Sequence, residues 1–288
     1  MKRLLIGLGL LLAACSPLST TVDEGTVPTT APTTTLAPTT TLPPPPPTTT
    51  TTTTTTLPLA RFVDARTVRA PRQGPIEGLL QFRGNPSRTW YGTGPVPTDP
   101  SIAWSFEIGC GLSTVGGEAT SWCGSGWTGQ PVVWERPDGI TELIFGAYDR
   151  AVHFLDAATG QPTRPEFPTR DINKGSVTLD PDGYPLIYFG SRDDRIRIVA
   201  LDRASPTELW AFITPPNSIW NNDWDGNPTV IDDLLFEGGE NGIFYIWKLN
   251  RGYDAEGRVT VDPNLVFSMP SYNDELISKV GRNVSIEN

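Results

Sequence analysis

The chain has 288 residues, with 22 basic and 32 acidic side chains, one histidine and a formal net charge of −10. That acidic balance argues against nucleic acid as a partner and against a purely electrostatic hold on anionic lipid. Glycine, proline and nine tryptophans are plentiful, while long stretches of helical periodicity are absent, so a β-rich domain is expected.

Residues 1–15 open with Met1-Lys2-Arg3, continue through an apolar run from Leu4 to Leu12 and end Ala13-Ala14-Cys15. A basic start followed by about nine apolar residues is a secretory signal, well short of the ~20 needed to span a bilayer. Leu12-Ala13-Ala14-Cys15 resembles the bacterial lipobox, and the resemblance implies that Cys15 is lipidated and becomes the mature N-terminus. Each buried methylene contributes ~0.8 kcal/mol, so two or three acyl chains make a stable anchor. The expected location is the outer face of a bacterial membrane, in the cell envelope.

Residues 16–59 are nearly all Thr and Pro, with Pro43 to Pro47 and Thr48 to Thr56 as unbroken runs. Too little apolar surface is present to offset chain entropy, so a disordered tether is predicted. In polyproline II form, at ~3.1 Å per residue, such a tether reaches on the order of 100 Å.

Residues 60–288 are long enough for one sizeable core. With Cys15 assigned to lipid, Cys110 and Cys123 remain as an even pair in an oxidising compartment, and a disulfide is predicted. It would close the Gly/Ser/Thr-rich loop Gly111 to Trp122, contributing ~3 kcal/mol in the chain-entropy view.

Three segments then share one grammar of strand, turn, strand ending in glycine, polar turn, and alternating strand ending in Asp or Asn. Pro131-Val132-Val133-Trp134, Leu143 to Gly146 and Ala151 to Asp156 form the first. Ser176-Val177-Thr178-Leu179, Leu186 to Gly190 and Ile196 to Asp202 form the second, with Glu208 to Phe212 as its last strand. Pro228-Thr229-Val230-Ile231, Leu234 to Gly238 and Gly242 to Asn250 form the third, with Leu265 to Met269 as its outer strand. Gly146, Gly190 and Gly238 are 44 and 48 residues apart, and Asp156, Asp202 and Asn250 are 46 and 48 apart. Four strands per ~45 residues is the period of a β-propeller blade. Trp127-Thr-Gly129-Gln-Pro131 recurs as Trp224-Asp-Gly226-Asn-Pro228, and Ile102 to Phe106 reads as the outer strand of an earlier blade beginning near Leu79. The expectation is an all-β, incomplete propeller of about four four-stranded blades, with the chain continuing beyond Asn288.

The run Phe145-Gly146-Ala-Tyr-Asp149-Arg-Ala-Val152-His-Phe154-Leu155-Asp156-Ala-Ala-Thr159-Gly160 resembles the quinoprotein-type (PQQ-like) propeller repeat. Gln81-Phe82-Arg83-Gly84-Asn85-Pro86-Ser87-Arg88-Thr89 resembles the opening segment of many such proteins. The resemblance implies a propeller. A quinone-dependent dehydrogenase of the alcohol class would need a vicinal cysteine pair beside its calcium, and no Cys-Cys occurs here. PQQ is therefore not expected.

Asn221, Asp223, Asp225 and Asp232 have the oxygen-ligand spacing of a calcium loop, with Gly226 for the sharp turn, although the last ligand is Asp rather than Glu. Calcium is the one metal this spacing suits, and a polar turn feeding a strand is the competing reading. Trp127 and Trp224 suit either a stacking groove for sugars or inter-blade packing. Asp193-Asp194 and Asp232-Asp233 read as hairpin turns, and His153 as a strand residue without a catalytic role. No catalytic set emerges. The preferred function is a lipid-anchored, non-catalytic binding or assembly scaffold with a protein or envelope-glycan partner. The propeller lipoprotein of the outer-membrane assembly machinery is its functional analogue, although the Thr/Pro tether departs from that family. A quinone-dependent oxidoreductase and a glycan or small-molecule capture protein are the alternatives.

Overall fold

The computed structural model describes residues 75–89, 97–115, 117–126, 128–215 and 221–280. The chain divides into two units, Met1–Thr55 and Thr56–Asn288, and every described residue belongs to the second. Cys15, the Thr/Pro segment, Trp127 and the stretch after Val280 lie outside the described residues. Among the described residues, no helix is long and apolar enough to cross a membrane.

In chain order the strands are β1 (Gly78–Leu79), β2 (Cys110–Val115), β3 (Glu118–Cys123), β4 (Val132–Glu135), β5 (Thr141–Gly146), β6 (Ala151–Asp156) and β7 (Phe167–Pro168). Then come β8 (Thr178–Leu179), β9 (Leu186–Ser191), β10 (Arg195–Ala200) and β11 (Thr207–Ile213). Last are β12 (Thr229–Ile231), β13 (Leu234–Gly238), β14 (Ile243–Lys248), β15 (Gly252–Tyr253), β16 (Val259–Thr260) and β17 (Asn264–Pro270), followed by helix α1 (Asp274–Val280).

Most of these strands build three larger antiparallel sheets, while β2-β3 and β15-β16 form separate two-stranded pairs. The first has the order β1-β4-β5-β6-β7, the second β11-β10-β9-β8 and the third β12-β13-β14-β17. Each contains the strand–turn–strand meander that the glycine spacing predicts. The middle sheet explains why the strands read as apolar runs, since both of its faces are covered. Ile187, Phe189 and Val199 pack with Val132, Ile144, Val152, Phe154 and Phe167 of the first sheet. Leu186, Tyr188, Ile196 and Ile198 point the other way, onto Val230, Leu235, Tyr245 and Trp247 of the third and onto Trp224 in the segment leading into it. Alternation along one strand thus feeds two cores, and each fully buried large side chain contributes about 1.5–3 kcal/mol.

The repeat is also visible in backbone and side-chain detail. Four residues after each repeat glycine stand Arg150, Asp194 and Gly242, all left-handed, with φ of 69°, 65° and 73°. The residue before each of these reaches the strand residue four positions on. His153 Nε2 lies 3.0 Å from Asp149, Arg197 donates to Asp193, and Asn241 Nδ2 donates to the Tyr245 hydroxyl at 2.7 Å. Three different chemistries occupy one geometry. Between β12 and β13, Asp232 and Asp233 have φ of 48° and 64°, the backbone of a two-residue hairpin turn with both central residues left-handed.

Two expectations need correction. Ile102 to Phe106 forms no strand. Trp104 instead seats its ring over Gly160 and donates Nε1 to the Ala157 carbonyl at 2.9 Å. The described blades therefore number three, and Gly78–Leu79 adds to β4 rather than opening a blade of its own. Gly111 to Trp122 is not an irregular loop either. It folds into the β2–β3 hairpin, in which Cys110 and Cys123 face each other directly and are disulfide-bonded.

Candidate functional site

The three sheets converge where the chain enters their first strands, and the convergence is built on glycine. A Cβ on Gly129 would lie 2.6 Å from the Gly175 carbonyl oxygen, and one on Gly175 would lie 2.3 Å from that of Gly226. Backbone therefore stacks on backbone. Thr128 Oγ1 donates to the Lys174 carbonyl at 2.8 Å, the Gln130 amide to Ser176 Oγ at 2.8 Å, and the Ser176 amide to the Gly226 carbonyl at 3.2 Å. The echo between Gly129-Gln-Pro131 and Gly226-Asn-Pro228 thus has a middle member, Gly175-Ser-Val177. Sequence comparison misses it because only the glycine is shared.

The opening segment lies along the same convergence. Leu80 accepts from the Leu179 amide at 2.8 Å, the Arg83 amide donates to Gln130 Oε1 at 3.1 Å, and Arg88 Nη2 reaches the Asn227 carbonyl at 2.7 Å. One short stretch therefore touches all three sheets.

Charged side chains gather at the seam between the second and third sheets. Arg192 Nε sits 2.8 Å from Asp223, both nearly fully buried, and Lys174 Nζ sits 3.3 Å from Asp225. Asn221 Nδ2 donates to Asp223 at 2.7 Å and to Glu240 at 3.0 Å, and Asp225 lies close enough to Glu240 to act on its charge. Lys174 also lies 5.5 Å from the centroid of the Trp122 ring. Burial pushes Asp223 up to about 8 against the pull of Arg192, with Glu240 and Asp225 adding repulsion. Burial and Asp225 together raise Glu240 to about 7. A third acid, Glu237, is fully enclosed and pushed up to about 8 by burial, with Arg88 opposing. Clustered carboxylates in a low-dielectric seam hold protons that the same groups would lose in water.

Of the predicted calcium ligands, the structure brings Asn221, Asp223 and Asp225 into this cluster. It does not bring Asp232, which lies beyond the extended strand β12, in the turn before β13. The missed members, Lys174, Arg192 and Glu240, come from other blades or later strands, so no local spacing could reveal them. Trp224 is 0 % exposed and belongs to the core between the second and third sheets, so it is not presented for stacking a sugar.

A cavity of about 90 Å³ opens beside the convergence, lined by Ser125, Gly126, Gly129, Gln130, Phe145 and Gly175 among others. Gln130 Nε2, Asn173 Oδ1, Asp225 Oδ1 and Asn227 Oδ1 are buried without a hydrogen-bond partner among the described residues. The arrangement can hold ordered water or a small ion and can share protons. The volume is well below the ~300 Å³ at which pockets for drug-sized ligands begin.

Converging antiparallel meanders with a repeated glycine hinge define the described unit as a β-propeller array. No protein-family model and no curated protein matches the chain. Among solved structures it is similar to the quinohemoprotein alcohol dehydrogenase of Comamonas testosteroni, at 19 % identity and a TM-score of 0.43, over 77 % of this chain and 31 % of that one. A europium-containing methanol dehydrogenase is similar at 18 % identity and 0.37, over 61 % of this chain and 28 % of that one. BamB from Moraxella catarrhalis is similar at 16 % identity and 0.28, over 56 % and 59 %. The chain thus spans about a third of the length of the two dehydrogenases.

Proposed function

We propose that this protein is an exported, lipid-anchored propeller of PQQ-like type that acts as a non-catalytic binding or assembly scaffold in the cell envelope. One observation carries the reading. The charged side chains nearest the convergence, Lys174, Arg192, Asp223, Asp225 and Glu240, engage one another across a blade seam, beside a cavity of only about 90 Å³. Their geometry suits tying blades together rather than receiving a cofactor-sized ligand. The disulfide supports an oxidising compartment, and the lipobox-like Leu12-Ala13-Ala14-Cys15 supports the anchor.

Two measurements test the reading. Metabolic labelling with a radioactive fatty acid should mark the wild-type chain and leave Cys15→Ser unlabelled. Photo-crosslinking in the native envelope, from probes placed on exposed blade residues, should return a discrete protein or glycan partner. Reduction of an electron-accepting dye by the purified chain with a quinone, calcium and an alcohol would overturn the scaffold reading.

A further inference from the structure

We propose that Asp149, His153 and Glu166 form a binding site for a first-row divalent cation on the first blade, separate from the blade seam described above. Donor atoms from the three residues, one from each, all lie within 4.8 Å of one another. One imidazole and two carboxylates form a donor set that suits zinc, cobalt or manganese.

The comparison between blades is what points to a cation. In the second blade the equivalent positions hold Asp193 and Arg197, and the guanidinium also donates to Glu208 on the outer strand at 2.9 Å. Two carboxylates there surround a built-in positive charge. In the third blade the pair is Asn241 and Tyr245, and neither member is charged. Only the first blade places two carboxylates around an imidazole. Asp149 and Glu166 have no Lys or Arg partner among the described residues. A bound divalent ion supplies the charge that Arg197 provides one blade later.

The geometry fits. His153 Nε2 lies 3.0 Å from Asp149, while Nδ1 is turned toward Glu166 across 3.7 Å. A single ion takes only one imidazole nitrogen, and one donor atom can be chosen from each of the three residues so that all lie within 4.8 Å of one another, a spacing that small side-chain movements close onto an ion with bonds of about 2.1 Å. The imidazole is fixed by Phe106 and Phe145, with ring centroids 5.3 and 5.4 Å away. Side-chain exposure rises from 5 % at His153 through 17 % at Asp149 to 62 % at Glu166, so an ion can reach the site from solvent.

The test uses the full chain, purified in detergent and stripped with a chelator. Titration with Co²⁺ followed by visible absorption, and with Zn²⁺ by calorimetry, should show one equivalent bound, with Zn²⁺ displacing Co²⁺. His153→Arg copies the second blade and should keep the melting temperature of the stripped wild type while lowering metal affinity at least about a hundredfold. Glu166→Gln, on an exposed side chain, should lower it about tenfold or more, and it decides the matter if the arginine variant fails to fold. No stoichiometric uptake of either metal by the wild type would overturn the proposal. So would undiminished binding by a folded variant, since the ion would then sit elsewhere.

Discussion

Gly190 and Gly238 occupy the same place in successive blades, yet alanine should act on them very differently. A Cβ on Gly190 would lie 2.3 Å from Trp224 Cβ and 2.4 Å from the Trp224 carbonyl oxygen. Relief requires the seam between the second and third sheets to open by about an ångström, because the obstructing atoms are backbone and Cβ rather than a movable side-chain tip. Overpacking of this kind costs about 1–3 kcal/mol. Loosening the neighbouring Ser176–Gly226 hydrogen bond adds about 1 kcal/mol. A loss of roughly 2–4 kcal/mol corresponds to a melting temperature lower by about 5–15 °C in a domain of this size. A Cβ on Gly238, by contrast, would meet nothing within 4 Å, so Gly238→Ala should shift melting by about 2 °C at most. Thermal unfolding of both variants by near-UV circular dichroism checks the pair. Equal effects, or a harmless Gly190→Ala, would refute the idea that this glycine recurs to admit the next blade.

Other consequences are measurable. Glu237 is pushed up to about 8 by burial, so the folded protein holds a proton that the unfolded chain releases near its ordinary value of about 4.3. The contribution of Glu237 to stability should be full at and below that value and be lost as pH rises toward 8, by on the order of 5 kcal/mol; urea melts of Glu237→Gln between pH 5 and 8 should be flatter than wild type. Arg251 bonds Asp180 at 2.7 Å, Asp182 at 2.8 Å and Asp233 at 2.8 Å, clasping the third blade to the second. Arg251→Ala leaves the buried Asp180 without its cationic partner, held only by Tyr188 and the Asp182 amide, and should cost about 3–5 kcal/mol by chemical denaturation. Reducing Cys110–Cys123, or replacing both with serine, should cost up to ~3 kcal/mol, with the increase in amide exchange confined to β2 and β3.

The blade register was legible because glycine and the Asp/Asn strand ends recur at nearly constant spacing, and because alternating side chains of the middle sheet must serve two cores. What stayed hidden had physical reasons. The β2–β3 hairpin is rich in Ser, Thr and Gly, so its pairing leaves no apolar signature, and only its cysteines marked it. Ile102 to Phe106 has the look of Leu209 to Phe212, but composition cannot tell whether such a run pairs into a sheet. The polar pair after each repeat glycine keeps its geometry while changing from Asp–His to Asp–Arg to Asn–Tyr, so identity conceals the equivalence. The seam cluster was half visible: Asn221, Asp223 and Asp225 are local, whereas Lys174, Arg192 and Glu240 arrive only through the fold.

The measurement that bears most directly on the scaffold reading is a thermal melt of the full chain with and without PQQ and calcium at saturating concentration. A seam whose charges neutralise one another should leave the transition within about 1 °C of the ligand-free protein, since a ligand stabilises only what it binds. A saturable rise of several degrees that disappears in Asp223→Asn or Asp225→Asn would contradict it.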